Sequence, residues 1–99
     1  MSPVLLISLE DGFLSDRVEV RVGGREALRL EGVSTKRLTG LAETHEVEVE
    51  RGPVRVEVRV EGRGRAALTL EVADRAWLAV RARADGVDLV PLAGPPGYA

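Results

Sequence analysis

The 99-residue chain contains no cysteine, no asparagine and no glutamine, and has one histidine and three aromatic residues. Without cysteine, neither a disulfide framework nor a thiolate metal site can form. With His45 as the only histidine, a histidine-cluster metal centre is excluded as well. The apolar run Val4-Leu5-Leu6-Ile7 is too short for a signal sequence and lacks a basic flank, and nothing approaches transmembrane length. The expectation is therefore a soluble cytoplasmic protein. Gly-x-Ser-x-Gly elbows, phosphate loops and dinucleotide fingerprints are missing too, so no recognisable catalytic constellation stands out and an enzyme is not expected.

Charge of one sign is also lacking. Fourteen basic and sixteen acidic residues leave a net charge of −2. The two signs are interleaved, with no basic patch for nucleic acid and no acidic tail. All the basic residues except Lys36 are arginine. Few thermolabile amides and interleaved opposite charges fit a thermophile, and a GC-rich genome gives the same composition through codon usage.

What the chain does have is alternation. Val47 and Val49, then Val54, Val56, Val58 and Val60, then Leu68, Leu70 and Val72, then Leu78 and Val80 recur at every second position, mostly with charges between them. Side chains alternate faces along a strand, so this pattern is one buried and one wet face. β-Branched valine adds the matching local preference. The expectation for Glu46 to Arg83 is a four-strand antiparallel meander.

Parity then constrains the turns. A three-residue loop Gly62-Arg63-Gly64 would set Glu61 opposite Arg65 and Arg55 opposite Glu71. A loop through Ala73-Asp74-Arg75 would set Leu70 opposite Leu78 and Leu68 opposite Val80. The connection Arg51-Gly52-Pro53 must change parity, so it needs an even loop or a bulge. Upstream, Val4 to Leu9 is apolar on both faces, which suits a central or covered strand. Glu10-Asp11-Gly12 ends it, and Phe13 and Leu14 are expected to plug the core. Arg17 to Val22 turns through Gly23-Gly24-Arg25, and charge favours the register pairing Glu19 with Arg29 and Arg17 with Glu31.

Gly32 to Thr44 is the one segment without a strand pattern. It reads as a crossover between sheets, with a functional loop as the alternative. Asp85-Gly86 marks a tight turn before a last short strand, Val87 to Leu92, and Pro91, Pro95 and Pro96 are expected to end ladder pairing. The expected fold is an all-β, antiparallel two-sheet β-sandwich of immunoglobulin-like or transthyretin-like type. It would have seven to eight strands and little or no helix. Residues 1–93 form its single domain and 94–99 a C-terminal tail.

The pattern of Val18 to Gly23, the piece Gly40-Leu41-Ala42, the valine strands and the ending Gly97-Tyr98 resemble a family of short uncharacterised bacterial all-β proteins. Members of that family end in Pro-Phe-Gly-Tyr, where this chain has Pro95-Pro96-Gly97-Tyr98. The resemblance implies an all-β fold and brings no activity with it.

Candidate chemistry is sparse. His45 shares the inward face with Val47 and Val49 and reads as a strand-end residue rather than a general base. Asp11, Asp16, Asp85 and Asp88 would gather at one end and could hold Ca²⁺, yet they lack the tight spacing of a dedicated loop and read as turn residues. No metal or other cofactor is expected. Ser34, Thr35 and Lys36 are the only polar cluster in the long connection. Trp77 is the oddity, because parity puts it on the wet face, beside Ala67 and Ala79 and flanked by Arg81 and Glu71. It is read as a partner hot spot or sugar platform, or else as covered by the Leu92–Tyr98 tail, by the N-terminal strand or by a local bulge. Trp77, Arg81 and Tyr98 are the candidate binding residues. The leading expectation is a non-catalytic interaction or structural module that binds a protein partner or a second copy of itself, and the alternative is a carbohydrate-like ligand module using Trp77. Neither nucleic acid nor membrane is an expected partner.

Overall fold

The computed structural model describes residues 2–10, 12–34 and 43–92. Among these residues there is no helix, and the alternating segments form β1 (Val4–Leu9), β2 (Asp16–Val22), β3 (Arg25–Val33), β4 (Glu43–Glu48), β5 (Gly52–Val60), β6 (Gly64–Val72), β7 (Arg75–Arg83) and β8 (Gly86–Leu92). They make two four-stranded sheets: sheet I in the order β4-β1-β7-β8, and sheet II in the order β3-β2-β5-β6. The architecture is an all-β sandwich, as the alternation requires. One pair, β1 with β7, is parallel; the others are antiparallel.

Inward-facing residues from both sheets make one core. Leu5, Ile7, Leu9, Leu78 and Val80 of sheet I meet Val18, Val20, Val56, Val58 and Val60 of sheet II, all at 0–1% exposure. β1 is central in sheet I, which explains why it is apolar on both faces. Phe13 plugs the core at 3% exposure, but Leu14 beside it points outward at 76%. The expectation that both would plug is corrected for Leu14, whose N–H instead donates to Asp16 Oδ2 at 2.7 Å in a local turn.

The continuous meander is also corrected. Only β5 and β6 pair as neighbours within it. The chain crosses from sheet I to sheet II between β4 and β5, and back again between β6 and β7, so Leu68 and Leu70 do not oppose Val80 and Leu78. Gly52, at φ +111°, ends the first crossing and begins β5. Arg51 ties the two crossings together, with Nε donating to Ala73 O at 3.1 Å and Nη2 reaching Asp74 Oδ1 at 3.0 Å. Inward alternation is the same whether a strand turns back in its own sheet or crosses to the other, which is why periodicity did not separate the two. The connection after β3 does carry the chain from sheet II to sheet I. Pro91 does not end the ladder: it opposes Leu78 within β8, an edge strand where a missing N–H is tolerated.

Registers divide in the same way. In the β2–β3 hairpin Glu19 opposes Arg29 as expected, and Arg17 Nε lies 3.2 Å from Glu31 Oε1. The turn itself is Gly23-Gly24, both at positive φ, with Val22 opposite Arg25. A register shift after Val20 restores the parity that an even loop would break. In the β5–β6 hairpin the loop is three residues, but Val60 opposes Gly64 and Arg59 opposes Arg65. The expected pairs Glu61–Arg65 and Arg55–Glu71 are not formed there, because the partner strand is displaced by two residues.

One flank of the sandwich is closed. A Cβ placed on Gly64 of β6 would lie 3.3 Å from Gly86 Cα of β8, so the two edge strands touch there. Arg63, in the β5–β6 turn, bonds Asp16 Oδ1 at 3.0 Å and Arg83 O at 3.1 Å, tying sheet II to the end of β7.

Candidate functional site

The outer face of sheet I is built from the side chains that alternate with its core. In β1 these are Val4, Leu6 and Ser8, and in β7 they are Trp77, Ala79 and Arg81. Register aligns them into rows. Glu46, Leu6, Trp77 and Leu92 lie side by side across the sheet, and Thr44, Ser8, Ala79 and Val90 form the next row. Leu6, Trp77, Val90 and Leu92 are half-buried, while Ser8 and Ala79 at the centre are buried.

Trp77 therefore faces outward, as strand parity predicts, because Leu78 and Val80 occupy the core side. Ala79 is its neighbour along the strand as expected. Ala67 and Glu71 are not its neighbours, since β6 belongs to the other sheet. Arg81 shares the outer face, and its Nε lies 3.1 Å from Glu10 Oε1, opposite Asp88 of β8. About 13 Å of strand separates Arg81 from Trp77, so the two do not form one compact constellation. Tyr98 lies outside the described residues, as do Thr35 and Lys36.

The sequence reading offered the N-terminal strand and the segment from Leu92 as cover for Trp77 but did not place Leu6 and Leu92 beside it in one sheet, and it missed Val90. A signal existed, since β1 is apolar on both faces and so carries a second apolar stripe. What was absent was the knowledge that β1 and β8 flank β7.

Several of the remaining candidates have structural partners. His45 faces inward opposite Ile7 and is half-buried, as expected for the end of β4. Asp16 is held by Arg63, and Asp88 lies 2.6 Å from Arg83 Nε. Ser34 Oγ accepts a hydrogen bond from the Ser15 amide at 2.9 Å. Asp11 lies outside the described residues. Among the described residues no group of three His, Cys, Asp or Glu side chains is placed to hold a metal ion. Nor is any helix among them long and apolar enough to cross a membrane.

The outer face of sheet II has a different chemistry. Arg17, Glu19 and Arg21 alternate along β2. Across the sheet Glu19 stands between Arg29 and Arg59, and Arg21 between Glu26 and Glu57. Arg17 reaches both Glu31 and Glu61, at 3.2 and 3.1 Å. The hydrogen bond from Arg21 Nε, at 2.8 Å, holds the Glu19 carboxyl below its usual range; a smaller opposing effect of burial is outweighed with help from the charges of Arg21, Arg29 and Arg59. A shallow depression of about 310 Å³ on this face is lined by Arg17, Glu19, Arg29, Glu31, Arg59 and Glu61. Its charges already neutralise one another, which leaves little attraction for a ligand of either sign.

No family model matches the chain, and neither does any curated protein or any solved structure.

Proposed function

We propose that this chain is a non-catalytic interaction module that binds a protein partner through the outer face of sheet I, with Trp77 as the anchor. The observation that supports this reading is the row Leu6, Trp77, Leu92, three large apolar side chains that keep part of their surface exposed on the outer side of sheet I. Protein interfaces characteristically combine an apolar centre with a charged rim, and tryptophan is prominent among the residues that dominate their energetics. Here the rim consists of Glu46 and Glu48 on one side and of Arg75 and Arg81 along β7.

Trp77 is the only tryptophan, so its fluorescence reports on this face alone. The test is acrylamide quenching of the indole, read alongside light scattering over a dilution series. An indole that is quenchable in the free chain and protected in a complex supports the reading, provided that Trp77→Ala abolishes the complex and leaves the fold intact. A blue-shifted indole, protected at every concentration, removes this face from binding. An emission change on adding a sugar to a stable monomer replaces the protein partner with a carbohydrate-like ligand.

A further inference from the structure

The flank opposite the closed one exposes the edges of β3 and β4, since each has a single strand neighbour among the described residues. The direction of the free backbone groups on β3 follows from the neighbouring ladder. The Gly23 amide donates to Arg55 O at 2.9 Å and the Glu61 amide to Arg17 O at 3.0 Å, at the two ends of the β2–β5 pairing. Residues in that phase, Glu19 and Arg21 among them, turn their backbone groups to β5. Val18 and Val20 therefore turn theirs to β3, where Leu30 and Leu28 oppose them. The N–H and C=O of Arg29 are left pointing out of the open edge, and Glu31 is next in the same phase where the regular ladder ends.

The regular part of this edge is short. A register irregularity precedes Leu28 and a second follows Leu30, where Gly32 sits at φ +68°, so residues 28–30 run in regular register and Glu31 stands at its end. Within this window Arg29 and Glu31 are exposed on the outer face, while Leu28 and Leu30 are half-buried on the inner one. Two-fold antiparallel pairing with an identical strand has three central registers. Centred on Arg29 it sets arginine against arginine, and centred on Glu31 it sets carboxylate against carboxylate. Centred on Leu30 it sets Arg29 against Glu31 twice and Leu30 against Leu30. The last register alone pairs opposite charges, and it also joins residues whose backbone groups are free. The neighbouring edge offers nothing comparable, because the outward residues of β4 are Thr44, Glu46 and Glu48, with no cation among them.

We propose that two copies of this chain join along β3, antiparallel about a two-fold axis at Leu30, extending sheet II across the pair. The alternation of charge then continues without interruption, with Glu31 of one copy meeting both its own Arg17 and the second copy's Arg29. The half-buried leucines of the two edges become neighbours. This inference is independent of the Trp77 face.

The absence of cysteine makes the register directly testable. Directly opposed Cβ atoms on antiparallel strands lie about 4.5–5.5 Å apart, closest in pairs that are not hydrogen-bonded, and such pairs can be bridged by a disulfide. Leu30→Cys is therefore expected to form a covalent dimer under mild oxidation roughly tenfold faster than Arg29→Cys, whose own equivalent is offset across the axis. The unmodified chain is expected to scatter as a dimer, and Arg29→Pro as a monomer with β-sheet circular dichroism retained, because proline is tolerated where an edge N–H has no ladder partner. A chain that is monomeric at every concentration overturns the proposal, as does equal cross-linking at positions 29 and 30. A dimer that survives Arg29→Pro but is lost in Trp77→Ala also overturns it, and moves self-association to sheet I.

Discussion

On the outer face of sheet II the central strand β2 carries Arg17, Glu19 and Arg21, and each meets the opposite sign on both sides, from β3 and from β5 or the turn that follows it. The central strands of sheet I carry Leu6, Ser8, Trp77 and Ala79 at the equivalent outward positions. The two faces back onto the same core and have the same pleat, so the difference does not come from the fold. A surface of alternating charge is solvated and self-neutralised, and it opposes indiscriminate adhesion. An apolar outer face lacks that protection. Alternation within each strand buries one face; what stands on the other face is free to differ, and here it does.

The comparison can be broken most severely at glycines that serve one sheet each. Gly12 ends the β1 segment of sheet I at φ +88°, and a Cβ there would lie 1.8 Å from Ala82 O of β7. Gly12→Ala is expected to cost about 3 kcal/mol or more in urea unfolding, since backbone must move. Gly24 turns the sheet II hairpin at φ +83° with nothing within 4 Å of such a Cβ. Gly24→Ala is expected to cost only about 1 kcal/mol, the conformational term alone. Equal costs would mean that the two turns are equally confined.

Next comes the tie between the sheets. The side chains of Asp16 and Arg63 are 10% and 20% exposed, and Arg63 also donates to Arg83 O. Asp16→Ala leaves the guanidinium without its carboxylate and is expected to cost about 2 kcal/mol, read from the denaturation midpoint. A smaller effect separates the outer faces themselves. Trp77→Ala is expected to cost about 1 kcal/mol through lost apolar burial, and Glu57→Ala on sheet II to stay within about 0.5 kcal/mol. Similar values for both would remove the energetic distinction between the faces.

The finest test is pH. The Glu19 carboxyl is held below its ordinary value of 4.5 in the folded chain, with Arg21 the main cause. A depressed folded pKa adds stability above the unfolded pKa, and that stability is lost as pH falls through the folded one. Glu19→Gln should therefore flatten the stability profile below about pH 4.5, with little change in its shape near neutrality. Added salt should weaken the same contribution, because the pair is exposed. An unchanged acid limb would show that Arg21 gives Glu19 no preference for its charged form.

How far the sequence could be read depended on how many neighbours a strand has. The β2–β3 pairing was legible because β3 is an edge strand, and its charges answer to β2 alone. The β5–β6 pairing was misread for the complementary reason. β5 is central, and Glu57, Arg59 and Glu61 are matched by Arg21, Glu19 and Arg17 of β2 rather than by β6. A hairpin argument sees only the next strand in the chain, so it assigned to β6 charges that a distant strand already satisfies. Trp77 shows the same limit. Parity gave its face, which is a local property, while Leu6 and Leu92 come from strands whose placement is not local. Tyr98 stands outside the described residues, so its part in the candidate site was legible in neither.

The parallel pairing of β1 with β7 has a consequence in time. Sheet II can begin from two hairpins, each closed by a short turn, whereas β1 finds β4 roughly forty and β7 roughly seventy residues further along the chain. Closing so long a loop is entropically costly until the intervening strands have been gathered. The edge of β1 that faces β7 therefore waits unpaired through the synthesis of the intervening residues, while the hairpins of sheet II form. Pulse-labelled hydrogen exchange during refolding would register this as late protection of Leu5 to Leu9 relative to Val18 and Val20.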